Sequence, residues 1–199
     1  MNAFATLAPP PADLRRQLLA ASAGATSASL QALAGVIAQA PQRNGHYRMP
    51  IAGLRVDELL ELFSSKFPGA RSLLPRLLTW HEQGMAAPRP RSDEFEDLLA
   101  LLIAHQTVPG RDSRWLACAI ATAAMADNHL WQDLGLPNRG VLSSLMQIHF
   151  TALKLKNAGD MKWKKFFYRQ LCEQAEIPIC KSPSCSLCCD YALCFGAED

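Results

Sequence analysis

Six of the seven cysteines of this 199-residue chain fall between Cys172 and Cys194, and the seventh is Cys118. That crowding separates what can fold on apolar packing from what cannot. The residues ahead of Cys172 must build a core without cross-links. The thiol-bearing segment is short and broken by Pro178 and Pro183, and is expected to need a ligand to order it. The start, MNAFATLAPPPADLRRQLL, has no basic signal region, and Pro9, Pro10 and Pro11 interrupt its apolar run. A cytoplasmic location is therefore expected. In a reducing compartment an odd, clustered set of thiols reads as a soft-metal ligand set rather than a disulfide framework.

Apolar residues make up 49% of the chain and charged residues 19%, which excludes a mainly disordered protein. No stretch approaches the ~18 apolar residues of a membrane-crossing helix, so no membrane association is expected. A net charge of +2 is too small for the whole surface to act as a polyanion-binding field.

From Ala12 to about Lys156 apolar residues recur at helical spacing and nowhere alternate with period two over a strand length, so the fold class is all-α. Three stripes predict core seams: Leu30, Leu33, Ala34 and Ile37; Val56, Leu59, Leu60 and Phe63; Phe95, Leu98, Leu99 and Leu102. Ser27, Ser92 and Asn138 are suited to cap the helices that follow them, the last of which is expected to run to about Asn157. Breaks are predicted at 41–50, 67–69, 86–90 and 109–110, where Pro and Gly concentrate. The organisation expected is a helical body over 1–176, with 1–11 flexible, followed by an irregular cysteine-rich metal-binding loop over 177–199.

Between Lys154 and Arg169 there are six basic residues and one acid, Asp160, a local charge of +5. Asp160 is the expected N-cap of the next helix. In that helix Trp163, Phe166, Phe167, Gln170 and Leu171 share a face expected to dock on the core, which turns Lys164, Lys165, Tyr168 and Arg169 outward.

Cys180, Cys185, Cys188 and Cys194 read C-x4-C-x2-C-x5-C, with Cys189 beside the third. A two-residue gap lets thiolates reach one ion or adjacent irons, and the wider gaps carry the chain around the other sides. The first three follow the C-x4-C-x2-C order of plant-type iron–sulfur ligation, although the fourth comes after five residues rather than far downstream. A structural zinc site is the alternative, but it normally pairs two C-x2-C knuckles across a dozen or more residues. An iron–sulfur centre is favoured over zinc by this spacing.

The segments DNHLWQDLGLPNR (127–139), MKWKKFFYRQLCE (161–173) and CKSPSCSLCCDYALCFG (180–196) resemble the NifQ family of nitrogen fixation. The resemblance implies a protein that carries molybdenum with an iron–sulfur cluster and donates molybdenum during assembly of the iron–molybdenum cofactor of nitrogenase. It implies an accessory protein and not an enzyme, whose partners are the cofactor-assembly proteins, namely the scaffold complex and the iron protein. The family's four-cysteine motif falls on Cys180, Cys185, Cys188 and Cys194, which are thereby implied to hold the cluster. The first 90 or so residues carry no such signature. The chemistry agrees, since thiolates suit the irons while molybdenum keeps coordination positions open for exchange, and a donor must release what it binds.

Further ligand candidates are Cys172, eight residues ahead of Cys180, and Cys189 and His129. Cys118 reads as core, and His149 as a satisfied interior histidine. His46, His81 and His105 have no partners at ligand spacing. The second function class is a zinc-knuckle protein that binds nucleic acid or protein through its basic helix. It is weakened because the aromatics share the apolar stripe, which makes nucleic-acid binding an unfavoured reading. No GxSxG, P-loop, dinucleotide fingerprint or carboxylate pair supports catalysis.

Overall fold

The computed structural model describes residues 11–89, 94–176 and 191–198. Among them the structure is helical and contains no strand, in agreement with the all-α expectation. The α-helices are α1 (Pro11–Ala20), α2 (Ala28–Gln39), α3 (Val56–Lys66), α4 (Leu74–Ala86), α5 (Phe95–Ala104), α6 (Arg111–Ala124), α7 (Leu130–Asp133), α8 (Arg139–His149), α9 (Thr151–Lys156), α10 (Trp163–Gln174) and α11 (Tyr191–Phe195). Short 3-10 turns at Ala40–Gln42, Gly45–Arg48 and Pro68–Leu73 fill predicted breaks. None of these helices is long and apolar enough to cross a membrane.

Two helices form the centre. In α2 every residue from Ala32 to Ala38 is buried, and in α6 every residue from Trp115 to Ala123. A helix buried all round must be approached closely on each side, and both helices meet that need with small residues. α1, α6, α7 and α8 pack against α2, and α5 packs against α6. Gly35 is the tightest approach: a Cβ there would lie 2.1 Å from the Leu134 carbonyl oxygen. Cys118 sits in this core at 0% exposure, and burial pushes its thiol up to about 12.

Caps and loops follow local chemistry. The Ser27 hydroxyl accepts from the Leu30 N–H, and the Asn138 side chain accepts from the Val141 N–H, as expected; Ser92 lies outside the described residues. The irregular stretch after α2 is gathered by one side chain. Arg43 donates to the carbonyls of Val36, Tyr47, Met49 and Pro50, and its burial pulls the guanidinium down to about 10, partly offset by Asp133.

Three expectations need correction. Pro11 opens α1 instead of belonging to a flexible start. In α3 the buried face is Leu59, Leu62 and Phe63, while Val56 and Leu60 are 45% and 40% exposed. Glu58 and Glu61 pair with Arg114 and Arg111 of α6, and these contacts set the rotation of the helix. The helix expected from Asn138 to about Asn157 divides at Phe150 into α8 and α9. There the α5–α6 loop inserts Thr107: its N–H donates to the His149 carbonyl, and its hydroxyl accepts from the Thr151 N–H. Long-range hydrogen bonds thus replace two within the helix.

Candidate metal centre

α10 brings the sequence to the thiols. Trp163, Phe166, Phe167 and Gln170 are buried, as their spacing predicts, and the three rings pack within 5.7–6.0 Å of one another. The turn ahead of α10 is closed by the buried Asn157, whose side chain accepts from the Met161 N–H and donates to the Met161 carbonyl, each at 2.9 Å. Asp160 lies inside that turn with φ 54°, and the residue at the cap position is Lys162, so the expected Asp160 cap is not formed. A left-handed backbone turns the Asp160 carboxylate to Arg139 and Lys154 instead.

The basic face is also different from expectation. Lys164 turns inward: its ammonium lies 2.7 Å from the Asp133 carboxylate, which is 2% exposed, and it also donates to the Ala126 carbonyl. Arg169 pairs with Glu173, and Lys154 pairs with Asp160 and stands over the Trp163 ring. Lys165 and Tyr168 remain exposed as predicted. Asp160 is already counted in the +5, so Asp133 and Glu173 offset two of those five charges, and Arg169, though paired, stays exposed as expected.

Of the four motif thiols, Cys194 is described, on α11; Cys180, Cys185 and Cys188 lie outside the described residues, as does Cys189. Cys194 is half-buried, and its carbonyl accepts from the Lys162 N–H at 2.7 Å, which docks α11 at the start of α10. The Phe195 ring lies over Gly159. Glu198 follows with its side chain 4% exposed, 3.1 Å from Arg139 and 3.7 Å from His129. Residues 191–198 thus have contacts of their own with the body, where the sequence suggested order only through a ligand. Cys194 and Phe195 pack against the core of the body, and a cavity of about 380 Å³ beside Phe195 is lined in part by Met161, Phe166 and Arg169.

The other candidates are spread apart. His129 stands at the same corner as Cys194, joined to it through Glu198. Cys172 lies toward the far end of α10, ten residues beyond Lys162 and thus roughly 15 Å along the helix axis. It touches Tyr168, and burial together with Glu94 pushes its thiol up, partly offset by Tyr168. His149 is satisfied by the Ser29 hydroxyl at 2.8 Å, as expected. The His46 Nδ1–H donates to the Gly84 carbonyl at 2.9 Å, and the His81 Nδ1 is buried without a partner. Among the described residues no three His, Cys, Asp or Glu side chains are grouped closely enough to hold a metal ion. Sequence reasoning missed Arg139 and Glu198, although Arg139 closes a segment that it singled out.

The fold and this corner define a class: an all-helical protein that carries part of a four-cysteine motif on a short helix anchored to its body. The chain belongs to the NifQ family, a family implicated in nitrogen fixation; the NifQ family model matches residues 32–196. It is similar to protein NifQ of Azotobacter vinelandii, at 44% identity over 108 residues, 54% of this chain and 55% of that protein. Protein NifQ of Rhodobacter capsulatus is 41% identical over 112 residues, 56% of this chain and 62% of its own length. A NifQ homolog of Sinorhizobium fredii (strain NBRC 101917 / NGR234) is 35% identical over 147 residues, 74% of this chain and 61% of that protein. The chain thus spans between 55% and 62% of the length of these relatives. No solved structure matches it.

Proposed function

We propose that the chain is a molybdenum–iron–sulfur carrier that donates molybdenum for assembly of the nitrogenase iron–molybdenum cofactor. The observation that carries this reading is the extent of the family match, residues 32–196, which takes in all four cysteines of the C-x4-C-x2-C-x5-C motif. Cys180, Cys185, Cys188 and Cys194 hold the cargo as thiolates; soft sulfur donors suit the irons and leave molybdenum positions open to exchange. The protein acts as a donor and not as a catalyst, within the cytoplasm, and delivers to the cofactor-assembly proteins, the scaffold complex and the iron protein.

The basic-helix alternative has less support. A nucleic-acid surface needs exposed rings and unmatched cations. Trp163 is 1% exposed, and Lys154, Lys164 and Arg169 each face a carboxylate.

Anaerobic protein should bind iron with sulfide-dependent visible absorption. Alanine at any one of Cys180, Cys185, Cys188 or Cys194 should sharply reduce bound iron, whereas Cys118→Ala should leave it unchanged. Wild-type protein that binds zinc alone refutes the proposal.

A further inference from the structure

The segment over 127–139, which carries part of the family resemblance, holds none of the cysteines, yet three of its side chains converge on the cysteine-bearing end. Asp133 takes Lys164 of α10, His129 lies 3.7 Å from Glu198, and Arg139 reaches Glu198 at 3.1 Å. Arg139 also donates to the Asp160 carbonyl beside the α10 start, so one guanidinium joins the two ends of the corner. Cys194 is bracketed by two attachments: its own carbonyl on the Lys162 N–H, and the buried Glu198 carboxylate four residues later.

From this geometry we infer that Arg139, with Glu198, is the positioning pair that fixes Cys194 on the body and presents its thiol to the incoming cargo; the inference rests on the proposed function. A motif that wraps a ligand loses chain entropy on closing. Holding the fourth thiol on the body sets the position of one ligand before the cargo arrives, which lowers the ordering cost of binding. Arg139 touches no cargo and acts only through Glu198 and the α11 segment. The pair suits the task because Arg139 meets the buried Glu198 carboxylate through Nη1 while its Nη2 holds the Asp160 carbonyl, so one guanidinium ties the segment after Cys194 to the turn before α10.

The test compares wild type, Arg139→Gln, Glu198→Ala and the double variant as full-length, metal-free protein. Amide exchange of the peptide over 191–198 should lose about tenfold or more of its protection in each variant, as truncation of a buried charge pair predicts, while peptides of α2 and α6 keep theirs. The rate of anaerobic cluster formation from ferrous iron and sulfide, read by visible absorption, should fall by about the same factor. The loss in the double variant should be smaller than the sum of the two single losses, because the Arg139–Glu198 contact is removed in both. If Arg139→Gln also loosens α2 and α6, Glu198→Ala decides alone. Glu198→Ala with wild-type protection, or with wild-type iron uptake, overturns the positioning role by itself. Wild-type protein that takes up no iron overturns the proposed function and the positioning role with it.

Discussion

Neutralising Lys164 and neutralising Lys165 removes the same charge from adjacent positions, but the structure predicts very different costs. Lys165 is exposed, so Lys165→Met should change stability by no more than about 0.5 kcal/mol. Lys164 faces Asp133, 2% exposed at 2.7 Å, and Lys164→Met leaves that carboxylate buried without its cation. Breaking a buried pair from one side costs roughly 3–5 kcal/mol. The Lys164 side chain is 24% exposed, Asn128 still donates to Asp133 at 3.0 Å and the charge of Arg43 still acts on it, so we place the loss just below that range, about 2–3 kcal/mol. At roughly 2–4 °C per kcal/mol for a chain of this size, the melting temperature should fall by about 5–10 °C, against about 2 °C or less for Lys165→Met. Thermal melts and urea midpoints of the two variants measure this directly. Adding Asp133→Asn to Lys164→Met should recover part of the loss, because the stranded charge is gone. Coincident melting of the two single variants would refute the argument.

Two further outcomes test the packing and the titration. Gly35→Ala gains about 1 kcal/mol of helix propensity, yet its Cβ would sit 2.1 Å from the Leu134 carbonyl oxygen; the net should be a loss of roughly 1–3 kcal/mol by urea midpoint. Gly110→Ala, where no heavy atom lies within 4 Å and the backbone is extended, should stay within about 0.5 kcal/mol. Burial lowers the imidazoles of His81 and His149 from their ordinary value, with Glu82 opposing and His46 adding at His81. The folded chain thus binds fewer protons than the unfolded one below about pH 6.5, so stability is full above that pH and is lost as pH falls through the lowered values. His81→Gln and His149→Gln should each flatten the decline in urea midpoint between about pH 7 and pH 5.

What could be read from the residues alone were features whose causes lie within a few positions of one another. The Leu30 to Ile37 stripe, the Phe95 to Leu102 stripe, the Ser27 and Asn138 caps and the aromatic face of α10 all follow from helical spacing or a side chain reaching its own first turn. The division at Phe150 was not legible, because Thr107, some forty residues earlier in the chain, causes it. Lys164 looked outward for a similar reason: Asp133, its partner, lies on α7, and spacing along α10 cannot report a carboxylate supplied by another helix. At the candidate site spacing along the chain singles out the four cysteines as candidates, of which the structure describes Cys194, whereas Arg139 and Glu198 pair across nearly sixty positions and carry no local pattern that marks them.

Arg43 gives the loop after α2 an unusual intolerance to changes of length. Loops without regular structure ordinarily accept insertions readily. Here one guanidinium holds carbonyls at 36, 47, 49 and 50, so the contour from 43 to 50 is measured against a rigid fork a few ångströms wide. One residue added between Asn44 and Met49 would carry some of those oxygens out of reach and leave a buried cation short of acceptors. Grafting a tag or a domain at this stretch should therefore fail where the exposed, uncrowded Gly110 turn would accept it.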